Sequence, residues 1–207
     1  MKSRNVYTML YSVTDWMVKL GYLNVLWMSF TVMGLGVFGL FPATFSVYAI
    51  TRKWLNGETE INLFQNFKHH YFKEFTKTSS IGLIFTLLIS IFTVNIVFYT
   101  GFQHDISKIL MSLFGLLLMI IIILILLLLP LFASVELKLF NYFRSTVYMM
   151  IIHPFQTLVL LIFTTLYLLI LFTLPFLIPF FSISVFAVVS TWLVRNSLTS
   201  LMMKISQ

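Results

Sequence analysis

The sequence predicts an all-α fold, a polytopic transmembrane helical bundle of about six helical segments with one amphipathic helix outside the membrane. Of its 207 residues, 60% are apolar and only 9% are charged, whereas a soluble domain carries about 25% charged residues. The mean hydropathy is +1.01, and charge-free runs of the about 20 residues that a helix needs to cross a bilayer recur along the chain. We therefore expect a single integral membrane domain, residues 1–207.

The first charge-free run, residues 20–51, is too long for one transmembrane helix and too short for two. Three glycines and a proline lie between residues 34 and 42, and these residue types continue a helix poorly. They predict a break near residues 36–41, so that the chain forms a helical hairpin. The sequence leaves open whether the second helix of this hairpin spans the membrane fully or is re-entrant.

The later apolar runs divide more simply into helices. Residues 78–104 and 109–135 each have the length of one transmembrane helix, and the polar residues between them predict a tight turn. Residues 145–194 form a run about twice as long with Pro175 and Pro179 near its middle, which predicts two helices. The predicted helical segments are 7–35, 42–56, 78–104, 109–135, 145–173 and 176–194.

The distribution of basic residues predicts the orientation of these segments. If residues 20–51 belong to a hairpin, twelve of the thirteen Lys and Arg residues lie on one side of the membrane and Lys108 alone lies on the other. A chain with five spans would divide them about nine to four. Because basic residues accumulate on the cytoplasmic side of membrane proteins, we expect both termini in the cytoplasm.

One polar stretch, residues 62–77, predicts an amphipathic helix. Phe64, Phe67, Tyr71 and Phe75 recur in it at helical spacing, and most of its lysines lie elsewhere around the helix. Two interpretations are compatible: the aromatic row anchors a partner protein, or the helix lies on anionic lipid headgroups with its rings at the headgroup boundary. The pattern favours the lipid interpretation.

Three polar residues lie inside the apolar runs and are the intramembrane candidates. Asn24 and Asn95 are explained by hydrogen bonds between helices. His153 is ionisable, which makes it a functional candidate, and Pro154 after it predicts a kink close to the membrane surface. We place no Asp, Glu, Lys or Arg firmly at the middle of the membrane, which argues against an ion-coupled transporter.

The sequence offers little material for enzymatic chemistry. It has no cysteine and only six acidic residues, and it contains neither a phosphate-binding loop, nor a nucleophile elbow, nor a zinc-protease motif. The adjacent histidines His69 and His70 point about 100° apart on a helix and share a metal ion poorly. We expect no enzymatic activity, no cofactor and no metal. The net charge of +7 is explained by topology and anionic lipid rather than by nucleic acid.

Short motifs in the N-terminal third resemble a known family in their order and spacing. They are Asn24-Val-Leu-Trp27, Gly39-Leu-Phe-Pro-Ala43, Tyr48-Ala49, Arg52-Lys53, Asn62-Leu-Phe-x-x-Phe67-Lys and Phe72-Lys73. In these motifs, and in its length, the chain resembles the YesL-like family of small bacterial integral membrane proteins, a domain of unknown function. The resemblance implies a multi-pass protein of the bacterial plasma membrane.

The resemblance also implies a role, because members commonly accompany ATP-driven (ABC) oligosaccharide importers, glycoside hydrolases and sensor kinases. It favours a non-enzymatic accessory subunit that binds the importer's permease subunits. The partner-binding candidates are then Arg52, Lys53, Phe64, Phe67, Lys68, Phe72 and Lys73. Two alternatives stay open: a solute transporter or channel in which Asn24, Asn95 and His153 line one cavity, and a membrane component of sugar sensing with a histidine kinase.

Overall fold

The computed structural model describes residues 2–102, 104–134 and 139–205, and every regular element in these ranges is helical. This confirms the predicted all-α class. The helices are α1 (Lys2–Met33), α2 (Val37–Leu55), α3 (Leu63–Lys73), α4 (Phe75–Thr100), α5 (Asp105–Ser134), α6 (Leu139–Ile152), α7 (Pro154–Thr173), α8 (Ile178–Phe181) and α9 (Ser184–Ile205), with a 3-10 turn, Pro175–Leu177, before α8.

Three of the helices in the described ranges are long and apolar enough to cross a membrane: α4, α5 over Asp105–Phe132, and α7. Residues Pro175–Phe181 and Ser184–Val194 are also long and apolar enough when they are taken together, but the two parts are bent by 71° relative to each other. If this bent pair is one span, the described ranges contain four candidate spans. These helices identify a membrane protein, but the predicted count of six spans is not confirmed. Helices α1 and α2 form the predicted hairpin and are not among these candidate spans; both carry charged residues.

The break between α1 and α2 is a tight turn at residues 34–36. Leu35 and Gly36 both adopt positive φ, at 59° and 72°, and the Gly36 N–H donates to the Thr31 carbonyl oxygen at 3.0 Å. Such left-handed residues commonly end helices. The predicted start of the second helix at Pro42 is therefore wrong, because α2 begins at Val37 and includes the proline.

Pro42 is accommodated in α2 by a side chain from α4. A proline has no N–H, so the Phe38 carbonyl four residues earlier loses its helical partner. The Ser79 hydroxyl donates to that carbonyl oxygen at 3.0 Å. The missing backbone hydrogen bond is thus replaced by a contact that joins α2 to α4.

Close packing places α2 at the centre of the bundle, against α1, α3, α4, α5 and α9. A Cβ atom added at Gly39 would lie 2.6 Å from the Thr31 carbonyl oxygen, and one added at Gly82 of α4 would overlap the Phe41 ring. Glycine at position 39 lets α2 approach the backbone of α1, and glycine at position 82 leaves room on α4 for the Phe41 side chain. On the side of α9, the Tyr48 and Ser190 hydroxyls form a hydrogen bond of 2.9 Å.

The structure corrects the bounds of the other predicted segments. The segment 145–173 is divided, because Pro154 ends α6 at Ile152 instead of only kinking a continuous helix, and α7 begins at the proline itself. The segment 176–194 begins with a 3-10 turn and α8 before α9. The remaining bounds shift by a few residues: 78–104 becomes Phe75–Thr100, 109–135 becomes Asp105–Ser134, and 62–77 becomes Leu63–Lys73 followed by the first turn of α4.

Candidate functional site

The predicted amphipathic helix, α3, is fixed against the end of the α1–α2 hairpin. The Asn62 side chain caps it, since its Oδ1 accepts a hydrogen bond of 3.1 Å from the Gln65 N–H. Phe67 and Tyr71 are buried, and each ring centroid lies 5.0 Å from that of Phe30. Burial raises the pKa of the Tyr71 phenol, which donates to the Phe30 carbonyl oxygen at 3.1 Å. Helix α3 is therefore held to the bundle by its aromatic row.

This arrangement corrects the prediction for Phe67. Its side chain is 0% exposed, so it belongs to the protein core and presents no surface to a partner. The physical reason is that Phe30 of α1 faces α3, where the buried rings of Phe67 and Tyr71 cover it and the part-exposed Phe64 ring lies 6.2 Å from it. The sequence predicts the helical spacing of these aromatic residues, but it does not predict that Phe30 is the residue they pack against.

The other predicted partner-binding residues divide between two surfaces. Phe64 and Phe72 are 46% and 57% exposed, and Phe72 shares an open groove with Gln65, Lys68, His69 and Lys73. We call Phe64, Gln65, Lys68, His69 and Phe72 the outer face of α3. This face combines exposed aromatic rings with basic side chains.

Arg52 and Lys53 lie at the end of α2, behind that face. The Lys53 ammonium donates to the Asn66 Oδ1 at 2.6 Å, which joins α2 to α3 inside the molecule. Arg52 is exposed and lines a different, partly enclosed space. Of the seven predicted residues, Lys53 therefore has an internal contact, and Arg52 and Lys73 face a cavity that the sequence did not predict.

This cavity has a volume of about 100 Å³ and lies where α2, α3, α4, α5 and α6 meet. We call it the basic cavity. The Lys77 Nζ is 3.7 Å from a Glu74 carboxylate oxygen and about 5 Å from the ring centroids of Phe132 and Tyr142, within cation–π range. Its lining residues are Phe45, Ser46, Ala49, Arg52, His70, Lys73, Glu74, Lys77, Phe132 and Tyr142.

Part of the basic cavity had a signal in the sequence. His70, Lys73, Glu74 and Lys77 are spaced i, i+3, i+4 and i+7, which places them on one side of a helical stretch. The contribution of Tyr142 from α6 could not be predicted, because no local pattern shows which distant side chain meets this stripe.

The intramembrane candidates have structural contacts at separate places. The Asn24 amide donates to the carbonyl oxygens of Ile178 and Pro179 at 3.0 and 2.9 Å and accepts a hydrogen bond of 3.0 Å from the Ile183 N–H. These are the interhelical hydrogen bonds expected for this residue, and they join α1 to α8 and to Ile183, the residue before α9.

Asn95 and His153 differ from Asn24. Asn95 donates to the Ile91 carbonyl oxygen of its own helix at 2.8 Å, so the predicted interhelical bond is not what the structure shows there. His153 is half-buried and precedes the first residue of α7. Neither the basic cavity nor the groove on α3 is lined by Asn24, Asn95 or His153. Within the described ranges, no group of three acidic, His or Cys side chains is arranged to hold a metal ion.

Comparison with known proteins places these helices in a family. The model described as "Protein of unknown function, DUF624" matches residues 20–96, from the second half of α1 to near the end of α4. Uncharacterized protein YteU of Bacillus subtilis (strain 168) is 27% identical over 173 residues, 83% of this chain and 77% of the relative. Uncharacterized protein YesL of that strain is 42% identical over 69 residues, 33% of each chain.

A third relative decides the assignment. Uncharacterized protein YesV of Bacillus subtilis (strain 168) is 33% identical over 180 residues, which cover 87% of this chain and 86% of the relative. No solved structure matches this chain. Identity at this level across nearly the whole length, together with the motifs of the N-terminal third, shows that the chain belongs to the YesL-like DUF624 family.

Proposed function

We propose that the protein is a non-enzymatic accessory subunit of an ATP-driven oligosaccharide importer in the bacterial plasma membrane. In this role it binds the importer's permease subunits with the outer face of α3 and aids their assembly, stability or gating. The carrying observation is that α3 is fixed to the bundle by Phe67 and Tyr71 while Phe64 and Phe72 stay 46% and 57% exposed. The importer as partner rests on the family resemblance.

A face of this kind suits protein binding for two physical reasons. Exposed aromatic side chains bury a large apolar area with little loss of side-chain freedom, and they are enriched at the centres of interfaces. The cap at Asn62 and the buried row hold the backbone of α3 in place before a partner arrives. A preordered face loses less conformational entropy on binding. The basic residues of the face favour an acidic surface on the partner.

The test is purification from the native host in mild detergent, with mass spectrometry of the proteins retained after stringent washing. We expect importer permease subunits at a fixed ratio to this chain. The double variant Lys68→Gln/Phe72→Ala removes one cation and one exposed ring from the outer face, and should reduce recovery of the permease by about tenfold or more.

The matched control removes the same two residue types from the opposite end of α4 and α5. Phe98 is 60% exposed and the Lys108 side chain is 67% exposed, so Phe98→Ala/Lys108→Gln leaves the outer face of α3 intact and should retain the permease. Recovery of the chain without any importer subunit, or equal losses in both double variants, would contradict the proposal.

A further inference from the structure

We propose that the basic cavity binds an anionic phosphate group, carried by the headgroup of an acidic phospholipid. The proposal does not rest on the importer role. The first observation is the charge of the lining. It contains three cations, Arg52, Lys73 and Lys77, and one carboxylate, Glu74. With His70 counted as neutral, the formal charge of the lining is +2. Guanidinium and ammonium groups are the usual protein ligands of phosphate oxygens.

The size of the cavity fits the same ligand. A single water needs about 10–15 Å³ of such space, and the basic cavity offers about 100 Å³, enough for a tetrahedral phosphate together with part of what it is bonded to. Its lining has two kinds of surface. Phe45, Ala49 and Phe132 are apolar, and Arg52, Lys73 and Lys77 are basic. A phospholipid headgroup has the same division, with a charged phosphate next to a glycerol backbone.

The position of the cavity selects a lipid as the source of that phosphate. Lys77 is the third residue of the spanning helix Phe75–Thr100, and Phe132 lies in the last turn of α5, two residues before Ser134. At 1.5 Å per residue, Lys77 lies within about 3 Å of the start of its helix. The cavity is therefore at the common end of two spans, the level at which lipid phosphates lie. Basic pockets between transmembrane helices bind anionic headgroups in this way.

The geometry around Lys77 holds its charge in the cavity. Its Nζ lies about 5 Å from the ring centroids of both Phe132 and Tyr142, and 3.7 Å from Glu74. Tyr142 is 1% exposed, so its ring is held in place by the surrounding side chains. Arg52 and Lys73 are exposed, which allows their long side chains to close on a phosphate entering from the headgroup layer.

The experiment measures lipid binding to the delipidated full-length protein by native mass spectrometry. Phosphatidylglycerol is the anionic probe and phosphatidylcholine the zwitterionic one. We expect preferential retention of phosphatidylglycerol. The double variant Arg52→Gln/Lys73→Gln alters two exposed side chains, and it should weaken that binding by about tenfold or more, with an unchanged unfolding midpoint as the check of folding.

Lys68→Met is the matched control, because Lys68 is a cation of α3 on the outer face and does not line the cavity. It should change phosphatidylglycerol binding by less than about twofold. Inorganic phosphate distinguishes the source of the anion. If millimolar phosphate displaces the lipid, and its own binding falls in Arg52→Gln/Lys73→Gln, then the site takes free phosphate through the same cations.

The proposal is overturned if wild type and Arg52→Gln/Lys73→Gln bind phosphatidylglycerol equally, or if Lys68→Met weakens binding as much as the double variant. A lipid source is overturned if wild type does not prefer phosphatidylglycerol, and the site itself is overturned if wild type also binds no phosphate. Permease recovery is tested through Lys68 and Phe72, which do not line the cavity, whereas lipid binding is tested by a separate measurement on Arg52 and Lys73, of which Lys73 lines both the cavity and the groove on α3. Failure of one proposal is therefore distinguishable from failure of the other.

Discussion

Helices α2 and α5 are neighbours in the bundle, and α5 is the more apolar of the two although α2 is more deeply buried. Only 28% of the apolar window of α5 is buried inside the protein, whereas 11 of the 19 residues of α2 are buried. The difference is one of surroundings, because α5 presents Leu, Ile and Met outward while α2 is covered by other helices.

The buried residues of α2 include hydroxyl groups with partners inside the bundle. Ser46 donates to the Pro42 carbonyl at 2.7 Å, and Thr44 accepts a hydrogen bond of 3.0 Å from the Trp27 indole. Small and hydroxylated residues allow close contact between helices in a membrane. A long apolar run therefore marks a helix that faces lipid, and a run interrupted by small polar residues marks the helix that other helices cover.

The sharpest way to test this contrast is to determine whether α1 and α2 cross the membrane. The chain has no cysteine, so a single introduced cysteine reports one position. If both helices span, Leu35→Cys in the turn between them, where Leu35 is 84% exposed, lies on the same side as Lys108→Cys and opposite Lys68→Cys. We expect a membrane-impermeant maleimide to label the first two in intact cells, and Lys68→Cys only after permeabilisation.

Labelling of Leu35→Cys only together with Lys68→Cys would instead show that the hairpin returns without crossing. Lys108→Cys serves as the reference in either case, because it lies at the start of α5, the helix whose length and apolarity most clearly fit a span. The effect expected is all-or-none, and it decides whether α1 and α2 add two crossings to the three or four spans formed by the later helices.

The same substitution, glycine to alanine, should have opposite effects on stability in α2 and in α5. Gly39→Ala places a Cβ 2.6 Å from a backbone oxygen of α1, and should destabilise the protein by about 1–3 kcal/mol through forced separation of the two helices. Gly115→Ala has no atom within 4 Å and should stabilise α5 by up to about 1 kcal/mol. Unfolding midpoints in detergent measure both, and equal shifts would contradict the packing described for α2.

The same contrast explains which features the sequence predicted. The starts and ends of α4 and α5 were predicted to within a few residues, because charged residues mark where an apolar run leaves the membrane. The glycines were harder. From the sequence alone, every glycine in residues 34–42 is interpreted as a helix breaker. Gly36 does lie in the turn, with positive φ, whereas Gly39 lies within α2 and allows its close packing against α1.

Features that depend on a distant partner were outside the reach of the sequence. Phe67 has the spacing of a membrane-surface residue, and only the position of Phe30 shows that it is in the core. The basic cavity likewise needs Tyr142 from α6 to meet Lys77 of α4. Such contacts follow from tertiary packing, and no local period encodes them.

The third prediction compares two asparagines in apolar surroundings. Asn24 is 0% exposed and joins α1 to three backbone groups between residues 178 and 183. Asn24→Ala removes all three hydrogen bonds, although the Ile178 carbonyl still accepts from the Ser182 N–H at 3.3 Å, and should cost about 2–3 kcal/mol. Asn95→Ala removes one bond to a carbonyl of its own helix, and should cost less than about 0.5 kcal/mol. Equal losses in chemical unfolding would show that Asn24 is not a structural link.

The smallest effect is expected at the contact between α3 and the α1–α2 hairpin. Tyr71→Phe keeps the ring against Phe30 but removes its hydrogen bond to the Phe30 carbonyl, which still accepts from the Gly34 N–H at 3.0 Å. The loss should therefore be only about 1 kcal/mol at neutral pH. Tyr11→Phe is the matched control, because Tyr11 is 77% exposed and should change stability by less than about 0.5 kcal/mol.

The pH dependence of this difference separates a buried hydroxyl from an exposed one. Burial raises the pKa of Tyr71 above its ordinary value of 10.0, so the unfolded chain loses this proton at lower pH than the folded protein. The contribution of the hydroxyl is then fully present below about pH 10 and is lost as pH rises through the folded pKa. The stability difference between wild type and Tyr71→Phe should shrink above pH 10, whereas a constant difference would show that Tyr71 is accessible and that α3 is not fixed to the hairpin.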